Sequence, residues 1–315
     1  MTVACARLYG AEGKRPGEGV AKALDVLDLS GACAAGEVVV KVNFVSAYTE
    51  LSATPVEAVE ALAKRLVGRC RVIVAEAPAI GSFEGAVRRF GYSRLREYGV
   101  ELVDLAGDDY EEFYVWDRSL NRRVKVRVSR TILGSRYLVS VVRPKTHDTV
   151  VVTLTLKNVV VGAILPGDRH RIHQGYKAIN LSIAYLAAHM LPKLAIVDGA
   201  VGMEGAGPTN GTPIELGVSL AGSNAVTVDA AAAHLMGFDP RSVGYLYYLS
   251  RWGYGCIDPE KIEVEGLPDW RARAKRFEPH PTYRYQLEWR LSEDELRRVE
   301  RELEEEEGLL RREGA

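Results

Sequence analysis

The sequence predicts an α/β fold: a mostly parallel or mixed sheet covered by helices on both faces, with a C-terminal helical extension. Three observations carry this. Apolar runs of strand length alternate with stretches of helical period, the rhythm of a sheet wound through covering helices. The strongest run, Tyr137 to Val142, is apolar but for Ser140, as in a strand buried on both faces. The chain has 315 residues, 47% of them apolar, enough for one large core or two small ones.

Taken in order, Thr2 to Leu8 reads as a first strand, and a Gly-rich turn leads into a helix, Gly19 to Leu29, with one apolar face. Glu37 to Val45 is the second strand, in which the period of two sets Lys41 and Asn43 on a common face. Thr54-Pro55 reads as the N-cap and first residue of a helix from Val56 to Leu66. Arg71 to Ala75 is the third strand, ending in Glu76-Ala77-Pro78. Ser82 caps a helix from Phe83 to Phe90, Tyr92 to Tyr98 forms a further short helix, and Glu101 to Leu105 is the fourth strand. Residues 111 to 129 read as a hairpin about Ser119-Leu120-Asn121, added to the sheet.

The central run ends at Arg143-Pro144. Open α/β sheets bind ligands beyond the carboxyl ends of their strands, so Lys145, Thr146, His147 and Asp148 fall where function is expected. Thr149 to Val161 has an ambiguous period: its first half suits a strand, and Leu154, Leu156, Lys157 and Val160 suit a short helix closed by Gly162. A lysine in so apolar a segment must snorkel, pair with an anion or shift its pKa, because an unpaired buried ammonium costs several kcal/mol. The plain reading of Lys157 is a snorkelling side chain at a helix end; the functional one is an anchor for an anion. Asp168 to Gln174 is a loop with two histidines, His170 and His173, for which a solvated basic loop is the plain alternative.

Ile179 to Met190 forms a helix and Lys193 to Asp198 a strand. The run from Gly199 to Gly211 includes Gly207 and is too irregular for a dinucleotide fingerprint; so pliant a backbone approaches a ligand or makes a tight loop. Glu215 to Ala221 is a strand, and Asn224 or Thr227 caps a helix containing Asp229. An acid is rarely buried alone, so Asp229 needs a partner, Lys157 or Lys145. Residues 1–265 thus make the α/β core domain. Residues 266–315 make an Arg/Pro/Tyr-rich segment and a charged helix, Ser292 to Arg312, whose Leu296, Val299 and Leu303 pack on the body or on a second subunit, giving a homo-oligomer.

Lys plus Arg number 41 against 42 for Asp plus Glu, a balance without global attraction to nucleic acid or an anionic membrane. The aromatic group of Tyr245, Tyr247, Tyr248, Trp252 and Tyr254 lacks interleaved basic residues and reads as packing. Cys5, Cys33, Cys70 and Cys256 lie far apart, which argues against an iron–sulfur cluster supplied by this chain and for buried thiols in a reducing compartment. No apolar run reaches membrane-spanning length and no signal-peptide pattern opens the chain, so a cytoplasmic location is expected. Scarce Asn and Gln beside abundant Arg and Glu suggest a heat-adapted source.

In combination, Lys41-x-Asn43, Thr54-Pro55, Arg143-Pro144-Lys145-Thr146-His147, Leu156-Lys157-Asn158, Asp198-Gly199, Gly207-Pro208 and Asp229 resemble the domain-of-unknown-function 362 family over roughly residues 38 to 235. Many members carry a ferredoxin-like cysteine domain; the resemblance therefore implies redox work, and this chain departs from it by lacking those cysteines. A more distant likeness concerns chemistry. His147, Lys157 and His173 follow the His, Lys, His order of the nickel-pincer lactate racemase family, where a lysine and a histidine hold the cofactor and histidines move the proton. Thr153-Leu154-Thr155-Leu156 stands here in place of the racemases' glycine-rich run.

Two functional classes follow. In the first, Lys41, Asn43, Lys145, His147, Lys157, Asn158 and His173 form one pocket of an enzyme for an anionic small molecule or a metal-containing cofactor, nickel-type included, with oxidoreductase or isomerase chemistry. Lysines bind the anion, asparagines orient it, and His147 and His173 act as acid and base or ligate a metal completed by Glu76, Asp198, Glu204 or Asp229. Gly199, Gly207 and Asp229 join Lys41, Asn43, Lys145 and Asn158 in binding the substrate or cofactor, and His147, His173 and Lys157 are the catalytic candidates. In the second class the chain is a metabolite-binding module, or an accessory that docks a separate ferredoxin, and the histidines are ordinary loop residues.

Overall fold

In the computed structural model, which describes residues 5–309, the apolar runs pair into one mixed sheet of eight strands. The chain begins with β1 (Leu8–Glu12), α1 (Glu18–Asp25), α2 (Ser30–Ala34) and β2 (Glu37–Lys41). Next come α3 (Val56–Leu66), β3 (Arg71–Glu76), α4 (Phe83–Arg89) and β4 (Glu101–Asp104). The hairpin strands β5 (Tyr110–Trp116) and β6 (Arg123–Ser129) and the short α5 (Arg130–Leu133) lead to β7 (Leu138–Val142). Two short strands, β8 (Lys145–Thr146) and β9 (Val152–Thr153), flank the His147 loop, before α6 (Thr155–Ala163), α7 (Tyr176–His189) and β10 (Leu194–Val197). The remainder comprises β11 (Gly202–Glu204), β12 (Thr212–Ile214), β13 (Val218–Gly222), α8 (Ala225–Leu235), α9 (Gly244–Arg251), β14 (Val264–Glu265), α10 (Tyr283–Gln286) and α11 (Glu293–Glu307).

Strand order in the main sheet is β14-β1-β13-β10-β7-β2-β3-β4. Neighbours from β10 to β4 are parallel, while β13 runs antiparallel to both β1 and β10. From β2 the chain moves outward through β3 and β4 and then returns to the other side of β2 as β7. The order therefore reverses between β2 and β7, and the crevice beyond their carboxyl ends is where open sheets bind ligands. A second sheet, β12-β11-β8-β9, is built from the short strands that follow β7 and β10.

Alternation along the strands divides the core in two. Val38, Val40, Val139 and Val141 face one layer, made with Val20 and Leu24 of α1 and Val59 and Leu62 of α3. Val39, Leu138 and Val142 face the other, with Val159 and Val160 of α6, Ile183 of α7 and Val228 of α8. Each such side chain contributes roughly 1.5–3 kcal/mol by leaving water, which makes the register of β2 and β7 hard to slip. Trp270, Phe277, Trp289, Leu296, Val299 and Leu303 are buried in that second cluster, so the C-terminal segment packs on the body.

Several expectations need correction. The first strand begins only at Leu8, and Thr2 lies outside the described residues, as does Arg312 at the end of the expected last helix. The helix expected over Gly19 to Leu29 breaks at Val26 and restarts as α2. Thr54 does not cap α3: its hydroxyl accepts from Asn43 N at 3.0 Å and donates to Val141 O at 2.8 Å, pinning the loop to β7. Tyr92–Tyr98 is a 3₁₀ segment, and the hairpin forms its own two-stranded sheet instead of extending the main one. Cys5 and Cys256 are joined in a disulfide, not free thiols; Cys33 and Cys70 are free and half-buried.

Candidate functional site

Beyond the ends of β2 and β7 lies a fully connected polar network. Lys41, the last residue of β2, donates from Nζ to Glu76 Oε2 at 2.7 Å, Val42 O at 2.7 Å and Asn158 Oδ1 at 3.2 Å. Glu76, the last residue of β3, also accepts from Phe44 N at 3.0 Å and Ala77 N at 2.8 Å. Asn158 Oδ1 takes Asn43 Nδ2 at 3.1 Å, and its Nδ2 reaches Lys41 O and Ser140 Oγ, each at 3.1 Å. Lys145 Nζ donates to Asn43 Oδ1 and, at 2.6 Å, to Ser52 O. Gly162 permits this packing, since a Cβ there would collide with Lys41 Nζ. Burial lowers the pKa of Lys41 despite Glu76, and drives Lys145, which has only neutral acceptors, well down toward the free amine. Lys41 and Lys145 are fully buried and hold the strand ends together.

Lys157 differs. It sits in the first turn of α6, is 8% exposed, and among the described residues its Nζ makes no hydrogen bond or ion pair. It lines a cleft of about 60 Å³ with Asn43, Glu76, Asn158, Val161 and Arg169. Burial brings its pKa from 10.5 down to about 8, with Asp148 opposing and Arg169 and Lys41 adding to the fall. It is therefore an ammonium at neutral pH, desolvated and unpaired.

The two histidines lie within electrostatic reach of Lys157 and of each other. Burial, then the charge of Lys157, holds His147 neutral, with a pKa of about 3. Thr149 N and Asp148 Oδ1 both lie 3.0 Å from its Nδ1. The amide can only donate, and the exposed carboxylate can turn to water, so neutral His147 carries its proton on Nε2. His173 has the opposite tautomer: Nδ1 lies 3.0 Å from Arg169 O, a pure acceptor, which leaves the lone pair on Nε2. Burial of the ring and the charge of Lys157 lower its pKa too, although the residue as a whole is exposed. The pair offers one N–H donor and one base.

The His147 loop is held from outside. Gln286 of α10 donates to His147 O at 2.8 Å and accepts from Val151 N at 2.5 Å, and His147 N donates to Val151 O at 2.9 Å. Val151 has a φ of 67°, a left-handed conformation that a β-branched residue adopts only where its surroundings impose it. Sequence reading missed Gln286, and also Arg169, which clasps Ile164 O, Ala77 O and Gly162 O at 2.9, 2.6 and 3.0 Å and so closes the end of α6. The one available signal was that Arg169 stands in the histidine loop.

Other expected residues lie elsewhere. Asp229 meets neither Lys157 nor Lys145. Its carboxylate caps α6, accepting Thr155 N at 2.9 Å, Thr155 Oγ1 at 2.5 Å and Leu156 N at 2.9 Å, and burial outweighs these donors to raise its pKa to about 7. Gly199 packs on the backbone of Val218 and Gly207 on that of Thr146, so both close approaches are to protein. The carboxylates proposed to complete a two-histidine metal site are engaged: Glu76 with Lys41, Asp198 with Gly17 N at 2.8 Å, Glu204 with Glu278 N at 2.8 Å, and Asp229 with α6. Among the described residues no group of three or more His, Cys, Asp or Glu side chains is placed to hold a metal ion. The nickel-pincer group implied by the sequence resemblance would find free donor atoms on Lys157 and His173. The cleft does not match it, since pockets for such ligands span roughly 300 to 1,000 Å³.

The fold is similar to that of lactate racemase apoprotein from Thermoanaerobacterium thermosaccharolyticum, with a TM-score of 0.50, 11% identity, and coverage of 75% of this chain and 58% of that one. A crystal structure of a Thermotoga maritima protein aligns with a TM-score of 0.39 at 14% identity over 61% of this chain and 52% of that one. In sequence, the thylakoid-associated protein sll1697 of Synechocystis sp. is 24% identical over 195 residues, 60% of this chain and 57% of the relative, so the chain spans little more than half of that relative's length. Among the described residues no helix is long and apolar enough to cross a membrane. The model of the family described as domain of unknown function (DUF362) matches residues 38–234, well over half of the chain, and the protein belongs to that family.

Proposed function

We propose that this protein binds a small anion, a carboxylate or phosphate head group, in the cleft through Lys157, and that it is an enzyme in which His173 moves a proton on the bound molecule. One observation carries the reading: an ammonium buried to 8% exposure with no partner among the described residues, facing a cleft sized for a head group. Such a charge is costly until an anion enters, and the anion then gains a contact that water does not weaken. Neutral His173 takes a proton at Nε2 from an O–H or activated C–H of the ligand and returns it, isomerase-type chemistry in which Lys157 stabilises the charge left behind. His147, held neutral, donates from Nε2 and does not titrate near neutrality.

The test is calorimetric titration with acetate and inorganic phosphate at pH 7, in wild type and Lys157→Met. Wild type binds, and the variant binds at least tenfold more weakly. Binding to wild type weakens as pH rises through about 8, where the ammonium loses its proton. Equal binding by both proteins refutes the anchor. Anion binding without proton exchange into deuterated water for any acid tried narrows the function to a non-catalytic metabolite-binding module.

A further inference from the structure

Apart from Lys157, every charged or amide side chain lining the cleft is already engaged. Asn43 and Asn158 serve Lys145, Lys41 and each other, Glu76 serves Lys41, and the Arg169 guanidinium is held on three carbonyls. The rest of the lining is Phe44, Val45, Ala77, Ala79, Val161 and Gly162. One free charge is thus set in an apolar wall, with few groups to receive the hydroxyls of a sugar or polyol.

Two of the loops that line the cleft carry further apolar side chains. The loops that carry Val45 and Ala79 are bonded to each other, Ala47 N to Ile80 O at 2.8 Å and Ile80 N to Val45 O at 3.1 Å. At their tips stand Tyr48, 64% exposed, and Ile80, 49% exposed. Gly81, at a φ of 92°, lies against the Tyr48 ring, so the two loops that carry Tyr48 and Ile80 are held together. Single exposed apolar residues need no explanation, but these two stand on bonded loops whose Val45 and Ala79 line the cleft.

Resting on the anion reading above, we infer that the ligand is an amphiphilic monoanion, an aliphatic or aromatic monocarboxylate, whose carboxylate meets Lys157 and whose apolar body lies along Val45 and Ala79 to the lip of Tyr48 and Ile80. A polyhydroxy acid of equal charge gains nothing along this path. Each methylene that reaches the wall tightens binding about fourfold, the equivalent of roughly 0.8 kcal/mol.

The experiment measures dissociation constants for acetate, butyrate, hexanoate and glycerate at constant ionic strength, in wild type, Lys157→Met and the double variant Tyr48→Ser/Ile80→Ser. Both lip residues are exposed, so the double variant folds. In wild type, butyrate binds more than tenfold tighter than acetate, and glycerate no tighter than acetate. In the double variant the hexanoate-to-acetate ratio falls at least fivefold. A flat series with Lys157-dependent acetate binding overturns this inference and leaves the anion anchor standing; so does a series whose slope survives the double substitution. If no acid binds wild type, the anchor itself fails and the inference with it.

Discussion

Replacing Lys157 by methionine should make the protein more stable while destroying its site. The ammonium carries a penalty in the folded chain, because burial moves its pKa from 10.5 to about 8. At about 1.36 kcal/mol for each pH unit, this corresponds to about 3 kcal/mol of stability withheld at neutral pH. Methionine keeps the aliphatic stem and removes the charge. The sign follows from linkage: between pH 8 and 10.5 the unfolded chain holds a proton that the folded one has released, so wild type gains stability as pH rises across that window. Below pH 8 both states are protonated and the penalty is constant. Reversible urea titrations of both proteins from pH 6 to 10.5 read this directly. The variant should lead by about 2–3 kcal/mol up to pH 8, and the lead should shrink toward zero by pH 10.5. A variant less stable than wild type at pH 7, or a lead that ignores pH above 8, would show that Lys157 is a structural residue and refute the reasoning.

Lys41→Met should cost about 3–5 kcal/mol in chemical denaturation, because it leaves Glu76 charged and buried, and adding Glu76→Gln should recover a large part of that loss. Asp229→Asn should cost about 1–3 kcal/mol through the lost cap of α6. Its effect should add to that of Lys157→Met within about 0.5 kcal/mol in a double-mutant cycle, since the two side chains share no bond. With a folded pKa of about 7 against 3.8, Asp229 also supports the fold fully below about pH 4 and loses that contribution as pH rises to 7, so the asparagine variant should show a shallower fall across this window. Cys5→Ser should lower the urea midpoint by the equivalent of about 2–4 kcal/mol, and should abolish the mobility difference between reduced and unreduced protein on a denaturing gel.

The architecture was legible because its signals are local. Val38, Val40, Val139 and Val141 announce strands buried on both faces by composition alone, and the turns between them set the rhythm. Strand order brings the residues after β2, β3 and β7 to the sheet's carboxyl edge, but of those expected in one pocket only Asn43, Lys157 and Asn158 line the cleft, and Lys41, Lys145, His147 and His173 do not. What each side chain does there was not legible. Lys41, Lys145 and Lys157 look alike in sequence, and only the third is free, because the distinction depends on where Glu76, Asn43 and Ser52 fall in space. Asp229 was correctly singled out as an acid needing a partner. Its partners proved to be backbone amides of a helix that the ambiguous period of residues 149 to 161 had not fixed. The disulfide joins cysteines 251 positions apart, beyond any spacing rule.

The bond from Gln286 to His147 spans 139 positions of chain. A ribosome adding 5–20 residues per second needs roughly 7 to 28 s to travel that distance, so Lys41, Lys157 and His147 all exist well before the side chain that holds the His147 loop. Through that interval Val151 lacks the Gln286 bond to its amide and keeps only the bond from His147 N to its carbonyl, so the loop is held less firmly. During synthesis the His147 loop is therefore among the last parts to set, and a nascent chain can finish its sheet before that loop is held.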